Sequence, residues 1–236
     1  MESRQLFDPQ SSTYSYLVWD KASREAALID PVDEQLERDT RLIRELDLKL
    51  RYVLETHVHT DHITSANNLR KRFNAIVMVH ENSHTKCADV LIKGGDFVPL
   101  GTSKIGVLFT PGHTDSDVCY VIPGAVFTGD TLLIGDCGRT DFQSGNAGSL
   151  YDSITQQLFT LADETRVYPG HDFNGRSFST IADERLHNPR AGNGITRDQF
   201  ISTMNNLQLA PPPRIHEALP SNLRCGTLAL DAAPAG

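Results

Sequence analysis

Short apolar stretches, several of them with alternating polarity, recur along most of the chain. Each is four to seven residues long and is bounded by Gly, Pro, Asp or Asn, a pattern typical of β-strands. The predicted strands cover residues 14–19, 26–30, 50–56, 75–80, 104–110, 118–122, 125–130 and 166–169.

Between and after these strands lie segments with the apolar periodicity of helices. They cover residues 34–47, 61–72, 149–162, 177–187 and 196–206, and Ser149 is the predicted N-cap of the third. Strands dominate the middle and helices flank them, which predicts an α+β protein with sheets covered by helices. We expect a single domain over residues 1–236, in which 189–236 form a short C-terminal appendage too small for a second core.

The composition of the chain argues against several classes of function. The chain has 22 basic and 30 acidic residues and a formal charge of -8, so we expect no nucleic-acid partner and no attraction to anionic membranes. No apolar run is long enough for a membrane span, and MESRQLFDPQ resembles neither a signal nor a transit peptide, so we expect a cytoplasmic protein. The four cysteines form no C-x-x-C pair, which predicts reduced, mostly buried thiols.

The heptapeptide THVHTDH follows a predicted strand and concentrates imidazoles and a carboxylate, the ligands of borderline divalent metals. Further along, PGH, TGD and a second PGH each offer one more such residue after an apolar run and beside a Gly, where the backbone can approach a buried site closely. The seven candidate ligands are His57, His59, Asp61, His62, His113, Asp130 and His171.

This set, H-x-H-x-D-H followed by a distant His, Asp and His, resembles the metallo-β-lactamase superfamily from about residue 12 to about residue 188. The resemblance implies an αββα sandwich of two packed sheets flanked by helices, with a metal site at the strand ends along one edge. The seven residues can hold two metals, with Asp130 as the bridge. Alternatively, His57, His113 and Asp130 alone form a 2-His-1-carboxylate face for one iron. Ligand spacing does not choose between these arrangements.

Three longer stretches are more discriminating: GDTLLIGDCGRTDFQSG, HDFNGRSFSTIADERLHNPR and IHEALPSNLRCG. They resemble the persulfide dioxygenase branch of the superfamily. That resemblance implies one Fe(II) per chain on His57, His113 and Asp130, with His59, Asp61, His62 and His171 as supporting groups. It also implies oxidation of glutathione persulfide, with O₂ as co-substrate and water, to sulfite and glutathione, and it favours a homodimer.

Two other functions stay open at this point. One is a dinuclear glutathione thioester hydrolase of the glyoxalase II type, which metal content would separate from the dioxygenase. The other is a metal-binding module without catalysis, although such a protein would have no chemical need for all seven groups.

An anionic substrate such as glutathione needs cations near the site of this acidic protein. Arg139, in the CGR element, is the first candidate, and its alternative role is a structural pair with Asp136 or Asp141. Arg214 and Arg224 are further candidates that could equally be solvated surface charges.

Three positions next to the motifs complete the predicted site. Phe173 stands where relatives often have Tyr, which removes a hydroxyl that could bind glutathione. Thr114 and Asp172 are expected either to support the ligands or to cap their own turns. Cys137 lies close to the expected substrate path, and we predict a packing role for it.

Overall fold

The computed structural model describes residues 1–227, in which two six-stranded sheets pack face to face. The first sheet contains the six strands in chain order: β1 (Glu2–Asp8), β2 (Thr13–Trp19), β3 (Glu25–Ile29), β4 (Lys49–Leu54), β5 (Ile76–His80) and β6 (Val90–Ile92). Its β1 to β3 run antiparallel to one another, and β3 to β6 run parallel.

The second sheet has the strand order β12-β11-β10-β9-β8-β7. Its members are β7 (Phe97–Leu100), β8 (Ser103–Phe109), β9 (Val118–Ile122), β10 (Ala125–Gly129), β11 (Arg166–Pro169) and β12 (Ser179–Thr180). Only the β10 and β11 pair is parallel in this sheet.

Helices lie on both outer sides. They are α1 (Leu36–Glu45), α2 (Ala66–Phe73), α3 (Ala147–Gln156), α4 (Ile181–His187), α5 (Arg197–Asn205) and α6 (Ile215–Asn222). Side chains of α1 and α2 join the apolar cluster outside the first sheet, and those of α3, α4 and α5 join the cluster outside the second. Within residues 1–227, no helix combines the length and the apolarity needed to cross a membrane.

Strand β2 shows how the sequence pattern produces these layers. Tyr16 and Val18 point into the core between the sheets, whereas Leu17 and Trp19 point into the cluster beneath the helices. Successive side chains of a strand face opposite sides, so a strand covered on both faces must be apolar at nearly every position. Every residue of β2 is accordingly buried.

The parallel pairs bring strand ends together. Strands β3 and β4 end at the same edge of the first sheet, and β10 and β11 end at the same edge of the second. The loops that leave β4, β10 and β11 carry six of the seven candidate ligands, and the loop after β8 carries His113.

Three predicted helix starts were wrong, those of α2, α3 and α4; α4 begins at Ile181, not near residue 177, because residues 179–180 form β12. Helix α2 begins at Ala66, not at residue 61, because residues 63–65 hydrogen-bond residues 31–33 and thereby form a loop. Helix α3 begins at Ala147, and its N-cap is Asn146, whose side chain accepts the Ser149 N–H at 2.9 Å. The pattern of apolar residues also missed β1, β6, β7, β12 and α6, most of which are short.

The prediction of four reduced cysteines was also wrong. Cys87 and Cys225 form a disulfide across 138 residues of sequence, while Cys119 and Cys137 are free and buried. The two partners come from the loop after β5 and the turn after α6, and only the tertiary fold brings these segments together.

Candidate metal centre

Three loops that follow strand ends deliver His57, His113 and Asp130 to one point. Their candidate ligand atoms all lie within 4.8 Å of one another, and the His113 Nε2 is 3.7 Å from Asp130 Oδ2. Two imidazoles and a carboxylate are a donor set that suits a divalent transition metal, and one side of the group opens onto a cleft. The residues therefore fit a metal ion.

Hydrogen bonds behind the rings orient both histidines. His113 Nδ1 lies 2.7 Å from the Arg139 carbonyl oxygen, which can only accept, so Nδ1 carries the proton. His57 Nδ1 lies 3.0 Å from the Thr56 hydroxyl oxygen, whose own proton is directed to Asp30 Oδ2 at 2.8 Å. Both arrangements leave the Nε2 lone pair free to bind a metal.

Glycine at two positions allows the backbone to come close to these ligands. A Cβ on Gly138 would stand 2.9 Å from His113 Nδ1, and a Cβ on Gly170 would stand 2.5 Å from Asp130 Oδ1. Real side chains would not tolerate either distance without a shift of the ligand. The Gly residues beside the motifs are thus a steric requirement of the site.

His171 lies between two carboxylates. Its Nδ1 is 2.8 Å from Asp130 Oδ1, and its Nε2 is 3.2 Å from Asp61 Oδ2. Burial disfavours the charged imidazolium, but the two carboxylates outweigh it and raise the pKa of His171 to about 10. The ring therefore bridges Asp130 and Asp61 and holds the Asp130 carboxylate in place.

The remaining candidates form a second, deeper group. His59, Asp61 and His62 also offer ligand atoms within 4.8 Å of one another. Asp61 Oδ2 already accepts from the Thr13 hydroxyl at 2.8 Å and lies 3.0 Å from His62 Nδ1. His59 Nε2 is 3.1 Å from Asp30 Oδ1, so this group is tied together by its own contacts and by strand β2.

The cleft in front of the first group has a volume of about 470 Å³, within the range of sites for small organic ligands. His57, His113, Asp130, Asp61 and His171 lie on its floor. One wall comes from the segment between α5 and α6, so the C-terminal part of the chain helps to form the site. That wall includes Leu207, Leu209, Pro212 and Pro213.

The predicted substrate residues are distributed unevenly around this cleft. Arg139 lines it, but its guanidinium hydrogen-bonds Asp141 at 2.7 and 2.8 Å, as in the alternative role expected from the sequence. Arg214 also lines it and pairs with Glu34. Phe173 stands at the rim, 80% exposed, whereas Arg224 is exposed outside the residues that line the cleft.

Thr114 and Asp172 form hydrogen bonds within their own turns. The Thr114 backbone N–H and hydroxyl donate to Asp117 at 2.6 and 2.7 Å, and burial raises the pKa of that carboxyl group to about 6. Asp172 pairs with Arg176 and accepts its backbone N–H, which shapes the loop after His171. Both residues thus stabilise the loops that carry ligands.

Sequence reasoning missed several residues of the site. Asp30 orients the Thr56 backbone and hydroxyl, and the only sequence signal for it is an Asp at a strand end, as at Asp130. Thr13 reaches Asp61 and His171 across 48 and 158 residues of sequence, so no local pattern marks it. Arg190 also lines the cleft. Within residues 1–227, its guanidinium makes one hydrogen bond, from Nε to the Asp136 carboxylate.

Comparison with known proteins agrees with this geometry. The family model of the metallo-beta-lactamase superfamily matches residues 8–171. Persulfide dioxygenase ETHE1 of Mus musculus is 44% identical over 225 residues, which cover 94% of this chain and 88% of that protein. The Homo sapiens protein of the same name is 43% identical with the same coverage.

A solved structure gives the same result. The crystal structure of ETHE1 from Myxococcus xanthus superposes with a TM-score of 0.94 at 52% identity, covering 96% of this chain and 100% of that one. The predicted αββα sandwich and the predicted family are therefore confirmed. The chain belongs to the metallo-beta-lactamase superfamily and, within it, to the family of the ETHE1 persulfide dioxygenases.

Proposed function

We propose that the chain is a persulfide dioxygenase that uses one iron ion held by His57, His113 and Asp130. Glutathione persulfide, O₂ and water would be converted to glutathione and sulfite. The names of the relatives support the reaction class. The observation that carries the single-metal arrangement is the placement of His171, whose two ring nitrogens both lie against carboxylate oxygens.

That placement supports the scheme with one metal ion. A ligand in a dinuclear site would direct a free lone pair at the second metal, but His171 Nε2 is 3.2 Å from Asp61 Oδ2 and 3.3 Å from the Thr13 hydroxyl. His171 and Asp61 therefore act as supports of Asp130. The three proposed ligands, in contrast, open onto the cleft.

Iron in this position supplies the redox chemistry that couples reduction of O₂ to oxidation of the sulfane sulfur. The chain provides the geometry. Two neutral imidazoles and one carboxylate leave a divalent ion with a net positive charge, which favours an anionic persulfide sulfur over a neutral thiol. Arg139 O and Thr56 keep the imidazole protons on Nδ1, away from the ion.

Cations around the cleft suit the two carboxylates of glutathione. Arg190 is the least committed of the three arginines that line it, since Asp136 engages only its Nε and leaves the Nη groups for a ligand. In Arg139, Asp141 and two carbonyls take most of the donors. We therefore propose Arg190 as the main carboxylate-binding residue, with Arg139 and Arg214 as supporting charges.

The test begins with metal content. The protein, loaded anaerobically with Fe(II), should hold about one iron per chain, consume O₂ when glutathione persulfide is added, and form one sulfite per O₂. His113→Ala should lose both iron and turnover, whereas His216→Ala, at an exposed position outside the ligand motifs and the cleft, should retain both. Two metals per chain with hydrolysis of a glutathione thioester and no O₂ uptake would establish the hydrolase instead.

Substrate recognition is tested separately. Arg190→Ala should raise KM for glutathione persulfide about tenfold with little change in kcat, because the contact is made equally in the ground and transition states. Arg224→Ala is the matched control, since that side chain lies outside the residues lining the cleft. Equal KM values for the two variants would show that Arg190 does not bind the substrate.

A further inference from the structure

The last helix of the described chain ends against the loop that carries the first histidines. Asn222, the final residue of α6, is buried, and its side-chain amide faces residues 59–64. Its Nδ2 donates to the His59 carbonyl at 2.9 Å and to the His62 carbonyl at 2.8 Å, and its Oδ1 accepts the Thr64 N–H at 2.9 Å. Both N–H donors and the oxygen of the amide are therefore hydrogen-bonded to one loop.

The partners also determine the orientation of this amide. Two carbonyl oxygens require donors and one backbone N–H requires an acceptor, so a flipped amide would break all three contacts. In the loop between β4 and α2, the carbonyls of His59 and His62 have no backbone hydrogen-bond partner among residues 1–227. A single side chain therefore replaces the hydrogen bonds that a strand would have provided.

The end of α6 is itself held against the first sheet. The disulfide joins Cys225 to Cys87, the Cys225 carbonyl accepts the Asn67 N–H at 3.1 Å, and the Leu223 carbonyl accepts the Lys86 N–H at 3.2 Å. A Cβ on Gly226 would collide with the Thr64 carbonyl, so the turn after the helix fits tightly on the same loop. These contacts make α6 a fixed support.

We propose that Asn222 is a positioning residue of the metal centre. It acts through the backbone at His59 and His62 and thereby places the His57 ring opposite His113 and Asp130. The family model that matches residues 8–171 does not include this helix. The inference rests on the proposed ligand set of the preceding section but not on the persulfide reaction, so metal binding tests it without turnover.

The experiment compares Asn222→Ala with Ser221→Ala, a matched control whose buried side chain has no hydrogen bond to the loop among residues 1–227. Two quantities are measured on the full-length protein: amide hydrogen exchange of residues 56–64 without added metal, and the Kd for Co²⁺ by titration. Asn222→Ala should speed loop exchange and weaken Co²⁺ binding, each by about tenfold or more. Ser221→Ala should leave both within about twofold of the unmodified protein.

A second variant keeps the test decisive if Asn222→Ala folds poorly. Asn222→Gln retains the amide but displaces it by one methylene, and should shift both quantities in the same direction by a smaller amount. Faster loop exchange with unchanged Co²⁺ affinity would show a merely structural role and overturn the proposal. Equal effects of Asn222→Ala and Ser221→Ala would overturn it as well. Failure of persulfide turnover in a protein that binds Co²⁺ normally would refute the proposed function alone.

Discussion

The disulfide between Cys87 and Cys225 makes a quantitative prediction about stability. The perturbation is the double variant Cys87→Ala/Cys225→Ala, or reduction of the unmodified protein. The bond spans 138 residues, and the loop-entropy relation gives about 5 kcal/mol of stabilisation for a closed loop of that size. Because measured values usually fall below this upper figure, we expect a loss of about 2–4 kcal/mol in the free energy of unfolding.

Urea unfolding followed by the fluorescence of Trp19, the only tryptophan, measures this loss. With an m-value of about 2 kcal/mol per molar, the midpoint should fall by about 1–2 M on reduction. The double variant should unfold at the lower midpoint with or without reductant. Thiol titration in denaturant should find two free thiols before reduction, from Cys119 and Cys137. Four free thiols before reduction, or a midpoint that reductant does not move, would refute the reasoning.

Three further predictions concern the hydroxyl of Thr56, the thiol of Cys137 and the loss of folding stability in acid through Asp20. Thr56→Val removes the hydroxyl that contacts His57 Nδ1 and should weaken iron binding by about 10–100-fold in a chelator competition; unchanged affinity would contradict the role of that hydrogen bond. Burial raises the pKa of the Cys137 thiol, so Cys137→Ser should change turnover by only about twofold, and a loss comparable to removal of an iron ligand would contradict its packing role. Hydrogen bonds from the Ser23 side chain and backbone hold the pKa of Asp20 to about 2, below its unfolded value of about 4, so its stabilisation is present above pH 4 and is lost as the pH falls towards 2. Asp20→Asn should flatten that part of the stability curve in acid titrations, and a curve parallel to that of the unmodified protein would show that the carboxylate does not contribute.

Sheets covered by helices and the seven candidate ligands could be predicted because their signals are local, whereas the two-sheet sandwich and the choice of three ligands followed from the family resemblance. Alternation of apolar and polar residues has the period of a strand, and an Asp or Gly punctuates its end within a few residues. His57, His113 and Asp130 each follow such an end, so the sequence places them at strand termini before any tertiary contact is known. Their convergence depends on the packing of the two sheets, because β4 lies in the first sheet and β8 and β10 lie in the second.

The supports of the site could not be predicted because they are not local. The Asn222 amide hydrogen-bonds the carbonyls of His59 and His62 across 163 and 160 residues of sequence. Nothing in LPSNL marks this amide as a partner of the loop between β4 and α2. Arg139 and Arg190 have the same side chain, and the distant carbonyls of residues 209 and 210, which take further donors of Arg139, help to decide which guanidinium keeps free donors.

The sequence by itself therefore determined eight of the twelve strands in residues 1–227, the identity of the candidate ligands and, through its resemblance, the family. Tertiary structure decided how these groups are held. His171 lies between two carboxylates, Cys87 and Cys225 form a disulfide, and Asn222 hydrogen-bonds the loop that carries His59 and His62. The physical reason is one of range. Periodicity and turn chemistry act over a few residues, whereas hydrogen bonds and ion pairs depend on atoms about 3 Å apart, whatever the length of chain between them.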